Sequence, residues 1–205
     1  MFTGLIREIA TVKSYSNNIL TLKAKHKANL GDSIAINGVC LTVINVYNDG
    51  FALELADETR SIIDESKISG KVHIEPAMQL DDRFEGHIVQ GHVDCVGVVK
   101  SITPRSNATD FIIAVDAKYI THIIPKGSIT IDGVSLTIND VYKDSFRLTI
   151  IPHTLKETLI SKYTIGTKIN IETDLFARYI DHILQHRSHQ KSMNWDDIEK
   201  IHALY

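Results

Sequence analysis

The chain has 205 residues, with 22 Lys and Arg against 25 Asp and Glu, for a formal net charge of −3. The basic residues do not cluster, which excludes the electrostatic footprint of a nucleic-acid binder. No apolar run approaches the length of a membrane span. Met1 to Glu8 lacks a basic stretch followed by a long apolar run, so no export signal is read there. Cys40 and Cys95 are then expected to be free thiols in the cytoplasm.

Taken in order, Gly4 to Ser14 reads as a first strand and Ile19 to Ala24 as a second. Ser33–Ile36 and Val39–Val43 flank Asn37-Gly38, the strongest short-range signal for a tight β-hairpin. Phe51-Ala52-Leu53 follows. Glu58-Thr59-Arg60 is polar, and Lys71 to Glu75 closes the series after the turn residue Gly70. Pro76 to Gly86 reads as a connector.

The series then repeats. Gly91 to Ser101 answers Gly4 to Ser14 at an offset of 87. Asp132-Gly133-Val134-Ser135-Leu136-Thr137-Ile138 answers Asn37-Gly38-Val39-Cys40-Leu41-Thr42-Val43 at an offset of 95, as Phe146 answers Phe51 and Thr154 answers Thr59. The growth of the offset places an eight-residue insertion within 103–125, where Ala117 to Ile124 reads as a short helix before Pro125. Lys168 to Glu172 closes the second series. A fixed period over so many positions marks a duplicated unit. Each copy holds about 90 residues, enough for a modest core. The expected fold is all-β: two similar six-stranded Greek-key barrels in tandem, followed by a C-terminal helical segment. Closure removes exposed strand edges.

The tail changes period. Phe176, Tyr179, Ile180, Ile183 and Leu184 fall on one helical face, and Asn194 to Leu204, with Trp195, Ile198 and Ile201, reads as a second helix. Two readings stand side by side: a helix packed on its own barrel, and a contact between subunits.

Side chains alternate along each outgoing hairpin strand. Val39, Leu41 and Val43 face a core while Cys40 and Thr42 face away; Val134, Leu136 and Ile138 likewise oppose Ser135 and Thr137. Small hydrogen-bonding groups at the same two places in both copies point to paired binding sites. His87 and His92, five apart, lack the spacing of a zinc helix, and no Cys pair completes a site, so no metal is expected.

Met1-Phe2-Thr3-Gly4, Asn37-Gly38-Val39-Cys40-Leu41-Thr42, Gly86-His87 with Gly91-His92-Val93-Asp94, Asp132-Gly133-Val134-Ser135-Leu136-Thr137 and Ile151-Pro152-His153-Thr154 together resemble the riboflavin synthase alpha-chain family. The likeness runs from Met1 to about Asp174. Glu85 stands where that family usually has Gly, and Gln90 where Ser is common; the tail after His186 matches nothing.

The resemblance implies a lumazine-binding barrel at 1–86, a second at 87–174, and a helical trimerisation segment at 175–205. It implies an enzyme without metal or cofactor that converts two 6,7-dimethyl-8-ribityllumazine molecules into riboflavin and 5-amino-6-ribitylamino-uracil. One lumazine gives a four-carbon unit to the other. It also implies a homotrimer with each site between barrels of neighbouring subunits, and a contact with lumazine synthase. Gly4, Leu5, Ile6, Cys40, Leu41, Thr42, Glu54, Leu55, Ala56, Asp57, Glu58, Thr59, Gly91, His92 and Val93 would line the first pocket. Lys126, Ser135, Leu136, Thr137, Ile151, Pro152, His153, Thr154, Leu155 and Lys156 would line the second. His92 is the expected base for the C7 methyl proton, as a group that titrates near neutral pH. Ser135 with Asp132 would position a nucleophile, Cys40 would bond the ring edge, and Phe2 would stack on a ring. Asp174 reads as a helix cap.

Duplication suits such chemistry, since twin reactants need twin pockets. Holding two reactants in attack geometry is worth roughly 7–11 kcal/mol, against roughly 3–5 kcal/mol for a positioned base. Two rivals rank lower. A non-enzymatic lumazine or flavin antenna would be expected to lose one half-site, and an oligonucleotide-binding barrel pair needs a basic, aromatic groove.

Overall fold

The computed structural model describes residues 1–187. The second helix expected at 194–204, with Trp195, lies outside the described residues.

The first half contains β1 (Glu8–Ser16), β2 (Ile19–Lys23), β3 (Ser33–Ile36), β4 (Val39–Tyr47), β5 (Gly50–Glu54), α1 (Asp57–Ile62) and β6 (Lys71–Pro76). The second contains β7 (Cys95–Pro104), β8 (Thr109–Ala114), β9 (Ser128–Ile131), β10 (Val134–Val141), β11 (Ser145–Ile150), α2 (Pro152–Glu157) and β12 (Lys168–Thr173). Helix α3 (Leu175–Arg187) follows. The strands close into two antiparallel barrels with the same order, β1-β2-β5-β4-β3-β6 and β7-β8-β11-β10-β9-β12. Register shifts fall at corresponding places too: between Val12 and Ser14 in β1 and Val99 and Ser101 in β7, and between Val43 and Asn45 in β4 and Ile138 and Asp140 in β10. Such bulges bend a strand so that a small sheet can close. The insertion carries a 3-10 turn at Ala117–His122.

Alternation fills each barrel. Leu20, Leu22, Ile34, Leu41, Val43, Phe51, Leu53, Val72 and Ile74 pack the first core. Ile113, Ile129, Ile131, Ile138, Phe146, Leu148, Ile169 and Ile171 pack the second. Phe51 and Phe146, the repeated aromatic, are both fully buried.

The two barrels meet at their hairpin turns. Asn37 and Asp132 both have φ of 46°, and Gly38 and Gly133 follow at 81° and 83°, as the tight hairpin turn requires. The turns face one another. A Cβ on Gly133 would stand 2.8 Å from the Gly38 nitrogen, and one on Gly38 2.7 Å from the Gly133 nitrogen. Glycine is therefore needed twice over, for its φ and for backbone contact.

Buried polar bonds stitch the seam in matching pairs. The Asn37 side chain accepts the His73 N–H at 2.8 Å, and the Asp132 side chain accepts the Asn170 N–H at 2.7 Å. Across the seam, the Asn170 side chain donates to the Asn37 carbonyl at 3.0 Å. His73 Nδ1 lies 2.9 Å from the Asp132 carbonyl. The Leu159 N–H donates to His73 Nε2 at 2.7 Å, so Nδ1 carries the proton and donates. Burial holds the His73 pKa below its usual value, consistent with a neutral ring.

The barrels also exchange segments. The first strand was expected from Gly4 and its copy from Gly91, yet β1 begins at Glu8 and β7 at Cys95. The chain turns at Gly4 (φ 79°) and Gly91 (φ 77°) and crosses to the other barrel. The Gly4 carbonyl accepts the Ser135 N–H at 2.7 Å, and the Gly91 carbonyl accepts the Cys40 N–H at 2.8 Å. Phe2 and Val89, counterparts in the repeat, pair with one another as an antiparallel bridge on the local two-fold axis.

Candidate active site

The crossing segments build two related sites. At the first, Cys40 on β4 meets Gly91, and a Cβ on Gly91 would stand 2.7 Å from the Cys40 Cβ. At the second, Ser135 on β10 meets Gly4 in the same way, at 2.6 Å. A buried carboxylate anchors each segment. Glu75 accepts the N–H groups of Thr3 and Gly4 at 2.8 and 3.0 Å and the Thr3 hydroxyl at 2.9 Å. Glu172 accepts the N–H groups of Gln90, Gly91 and His92 at 2.8, 2.9 and 3.1 Å. Burial raises both carboxyl pKa values, that of Glu172 to about 7, against the pull of the amides.

At the Cys40 site the structure brings together Cys40, Glu58, Thr59, Gly91, His92 and Val93 around a cavity of about 510 Å³. Val39, Ile62, Ile63, Asp94 and Arg178 complete its walls. Burial pushes the Cys40 thiol pKa up, so at neutral pH the group is a thiol and a hydrogen-bonding partner. Burial pushes Cys95 up to about 12. It packs in the second core.

At the Ser135 site the hydroxyl has a partner that the sequence reading did not assign. His87 Nδ1 lies 2.7 Å from Ser135 Oγ. Burial lowers the His87 pKa, with the Asp174 charge pulling the other way. A neutral imidazole at that distance can accept the hydroxyl proton. The motif Gly86-His87 was visible in the sequence, but no local spacing ties it to a serine 48 positions on. Ile6 and Arg7, which follow the crossing segment, line a cavity of about 490 Å³ with Lys156 and Glu157.

Other expected residues have different places. Asp132 does not stand beside the Ser135 hydroxyl: its carboxylate is buried in the seam, bound to the Asn170 N–H, to Lys67 and to the Tyr163 hydroxyl. Hairpin-turn residues adjoin the seam as closely as the site, and an acid with a turn role has its oxygens filled there. Phe2 has no exposed ring face in the chain. Its ring is fully buried against Ala35 and Val89 and lies beneath Gly91. Leu41 and Leu55 are core residues of the first barrel. Leu5 and Leu136 are half-buried; Leu136 and Leu155 pack against the second core. Thr42, Glu54, Ala56, Asp57, Lys126, Thr137, Ile151, Pro152, His153 and Lys156 are exposed, and Thr154 is half-buried. Asp174 Oδ1 accepts the Phe176 N–H at 2.8 Å and so caps α3.

Paired barrels with mirrored small polar groups, each beneath a crossing segment, define a tandem two-domain class: residues 3–77 and 90–174 each match the family described as Lumazine binding domain. The chain is 42% identical over 193 residues to the riboflavin synthase of Actinobacillus pleuropneumoniae, covering 90% of each chain. It is 40% identical over 202 residues to that of Bacillus subtilis, covering 94% of each. The chain belongs to the riboflavin synthase family. Among solved structures, LumP complexed with 6,7-dimethyl-8-(1'-D-ribityl) lumazine has the same fold, with a TM-score of 0.72 at 20% identity, covering 85% of this chain and 99% of that one. LumP complexed with riboflavin gives a TM-score of 0.74, also at 20% identity, covering 85% of this chain and 100% of that one.

Proposed function

We propose that the chain makes riboflavin from two molecules of 6,7-dimethyl-8-ribityllumazine, releasing 5-amino-6-ribitylamino-uracil. The observation that carries this reading is the mirrored pair of sites. Cys40 and Ser135 occupy equivalent strands, each under a glycine lent by the other half. Reacting two like molecules needs two like sites in fixed relation, and fixed relation supplies most of the rate.

The sites differ in chemistry, which suits a donor and an acceptor. The Ser135–His87 pair adds a nucleophile to C7 of one lumazine, directly or through water, with His87 taking the proton. His92, exposed at the mouth of the Cys40 cavity, removes the C7 methyl proton of the other. The resulting carbanion attacks the first molecule. Cys40 as a thiol bonds a ring edge, contributing about 1 kcal/mol. The two unpaired thiols fit a cytoplasmic setting.

A homotrimer completes the reading. On α3, Phe176, Tyr179, Ile180, Ile183 and Leu184 are each about half exposed or more (49–60%). Ala177, Arg178 and Asp181 turn towards the chain's own barrel. A second and third copy would cover the apolar stripe and bring the Cys40 cavity of one subunit to the Ser135 site of another.

Incubation with the lumazine alone tests the proposal. Flavin fluorescence should appear with one riboflavin per two lumazines consumed. Tight binding without flavin would make the protein an antenna and sink the proposal. A chain ending at Asp174 should lose trimeric mass in solution.

A further inference from the structure

Helix α3 has an inner face as well as an outer one, and Arg178 dominates it. Arg178 Nη1 donates to Asp94 Oδ1 at 3.0 Å, and Nη2 donates to Gln90 Oε1 at 3.0 Å. Nη2 also lies 3.7 Å from Glu172 Oε1. Asp94 uses its other oxygen to accept the N–H and hydroxyl of Thr173, both at 2.7 Å. One guanidinium thus ties α3 to both ends of the 90–94 segment and to the carboxylate beneath its middle. That segment forms a wall of the Cys40 cavity, and Arg178 lines the same cavity.

Among the described residues, the matching segment at the other site has no such clamp. Residues 3–6 rest on Glu75, where the Thr3 hydroxyl supplies the extra bond. The clamp is thus particular to one half-site. Its partners in the segment are Gln90 and Asp94. Charge-assisted bonds are roughly twice as strong as neutral ones, and a planar fork that engages several acceptors restricts orientation as well as distance.

We propose that Arg178 is a positioning residue for the Cys40 site, holding the 90–94 segment in the geometry that the bound lumazine requires. This rests on the riboflavin-forming reading above. The charge of Arg178 also bears on Glu172. Burial raises the Glu172 pKa to about 7, Arg178 and the amides lower it, and Asp94 raises it further. Cys40 on β4 also feels the Glu172 charge, and His92 and Glu58 line the same cavity. Loss of Arg178 lets Glu172 take a proton at higher pH, which weakens the anchor under Gln90, Gly91 and His92.

The test uses the full chain with Arg178→Met, Arg178→Lys, Gln90→Ala and the Arg178→Met/Gln90→Ala double variant. Riboflavin formation is followed across the neutral pH range, lumazine affinity by fluorescence titration, and folding by thermal unfolding. Arg178→Met should raise KM and weaken lumazine binding about tenfold, the loss expected for a charged clamp, with a smaller change in kcat. The acid limb of its pH profile should move to higher pH. Arg178→Lys should recover part of the loss, and the double variant should be little worse than Arg178→Met, because the residues act through one contact. Unchanged affinity and pH profile in folded Arg178→Met, or losses that multiply in the double variant, would overturn the proposal. If Arg178→Met does not fold, Gln90→Ala decides: weaker binding at an unchanged unfolding temperature supports the clamp, and unchanged binding refutes it. A wild-type chain that binds lumazine without making flavin defeats the enzyme reading alone, and the affinities still judge the clamp.

Discussion

The two half-sites share a backbone and differ in their partners. Both place a small polar residue on the first outgoing strand of a hairpin, under a glycine carbonyl from the other half and above a buried glutamate. Around that common frame, Ser135 has His87 at 2.7 Å, while Cys40 has a raised pKa and a cavity walled by Arg178. Duplication fixed where the groups stand. The side chains around it differ, so one frame holds two chemically distinct groups.

Breaking the frame should cost most. Asp132→Ala leaves Lys67, Tyr163 and the Asn170 N–H without their common acceptor in the seam. Urea unfolding should show a loss of about 3–5 kcal/mol, as for a buried charge pair deprived of one partner. Asn37→Ala, at the equivalent turn, removes a neutral acceptor and should cost about 1–3 kcal/mol.

The chemistry of the halves can be separated at smaller cost. Ser135→Ala should slow riboflavin formation about 100-fold, as for loss of an assisted nucleophile. Cys40→Ala should slow it less than about tenfold, since a lone neutral hydrogen bond is lost. Equal effects from the two variants would erase the assigned difference. Mixing the two folded variants should restore part of the activity, because a site shared between subunits can then combine an intact Cys40 with an intact Ser135. No recovery after subunit exchange would place both half-sites within one chain.

The smallest expected effect is a pH dependence confined to the first half. His73 is buried neutral with both ring nitrogens engaged, and Asn170 replaces it in the second half. Its folded pKa is depressed, so below about pH 6.5 the unfolded chain binds the proton more readily. Stability should fall as pH drops below that value, by at most about 1.4 kcal/mol per pH unit from this group. His73→Asn should flatten that slope. A variant with the wild-type slope would assign the acid sensitivity to other groups.

Much of this was legible in the sequence because it depends on period. The offset of Thr42 and Thr137, the Asn-Gly and Asp-Gly turns and the alternation through Val39 to Val43 specify two hairpins and their inner faces. Period does not say which barrel a segment touches. Residues 2–6 and 89–93 continue the apolar pattern of their own strands, yet cross over, because Gly4 and Gly91 permit a turn and Glu75 and Glu172 hold it. The same gap explains Phe2, which looked like a ring to stack upon and is instead packing at the axis. His87 and Arg178 were missed for a related reason. Each reaches its partner across about 50 to 90 residues of chain, where side-chain spacing carries no signal.

A barrel that lends its leading segment to a neighbour, and borrows one in return, depends on having that neighbour. The Phe2–Val89 pairing of counterpart with counterpart is the contact two identical chains would make across a true dyad. A single copy on its own would leave open the seam that Phe2 and Val89 close. Joined in one chain, the two copies need not be identical, and Cys40 and Ser135 stand at the same place in them.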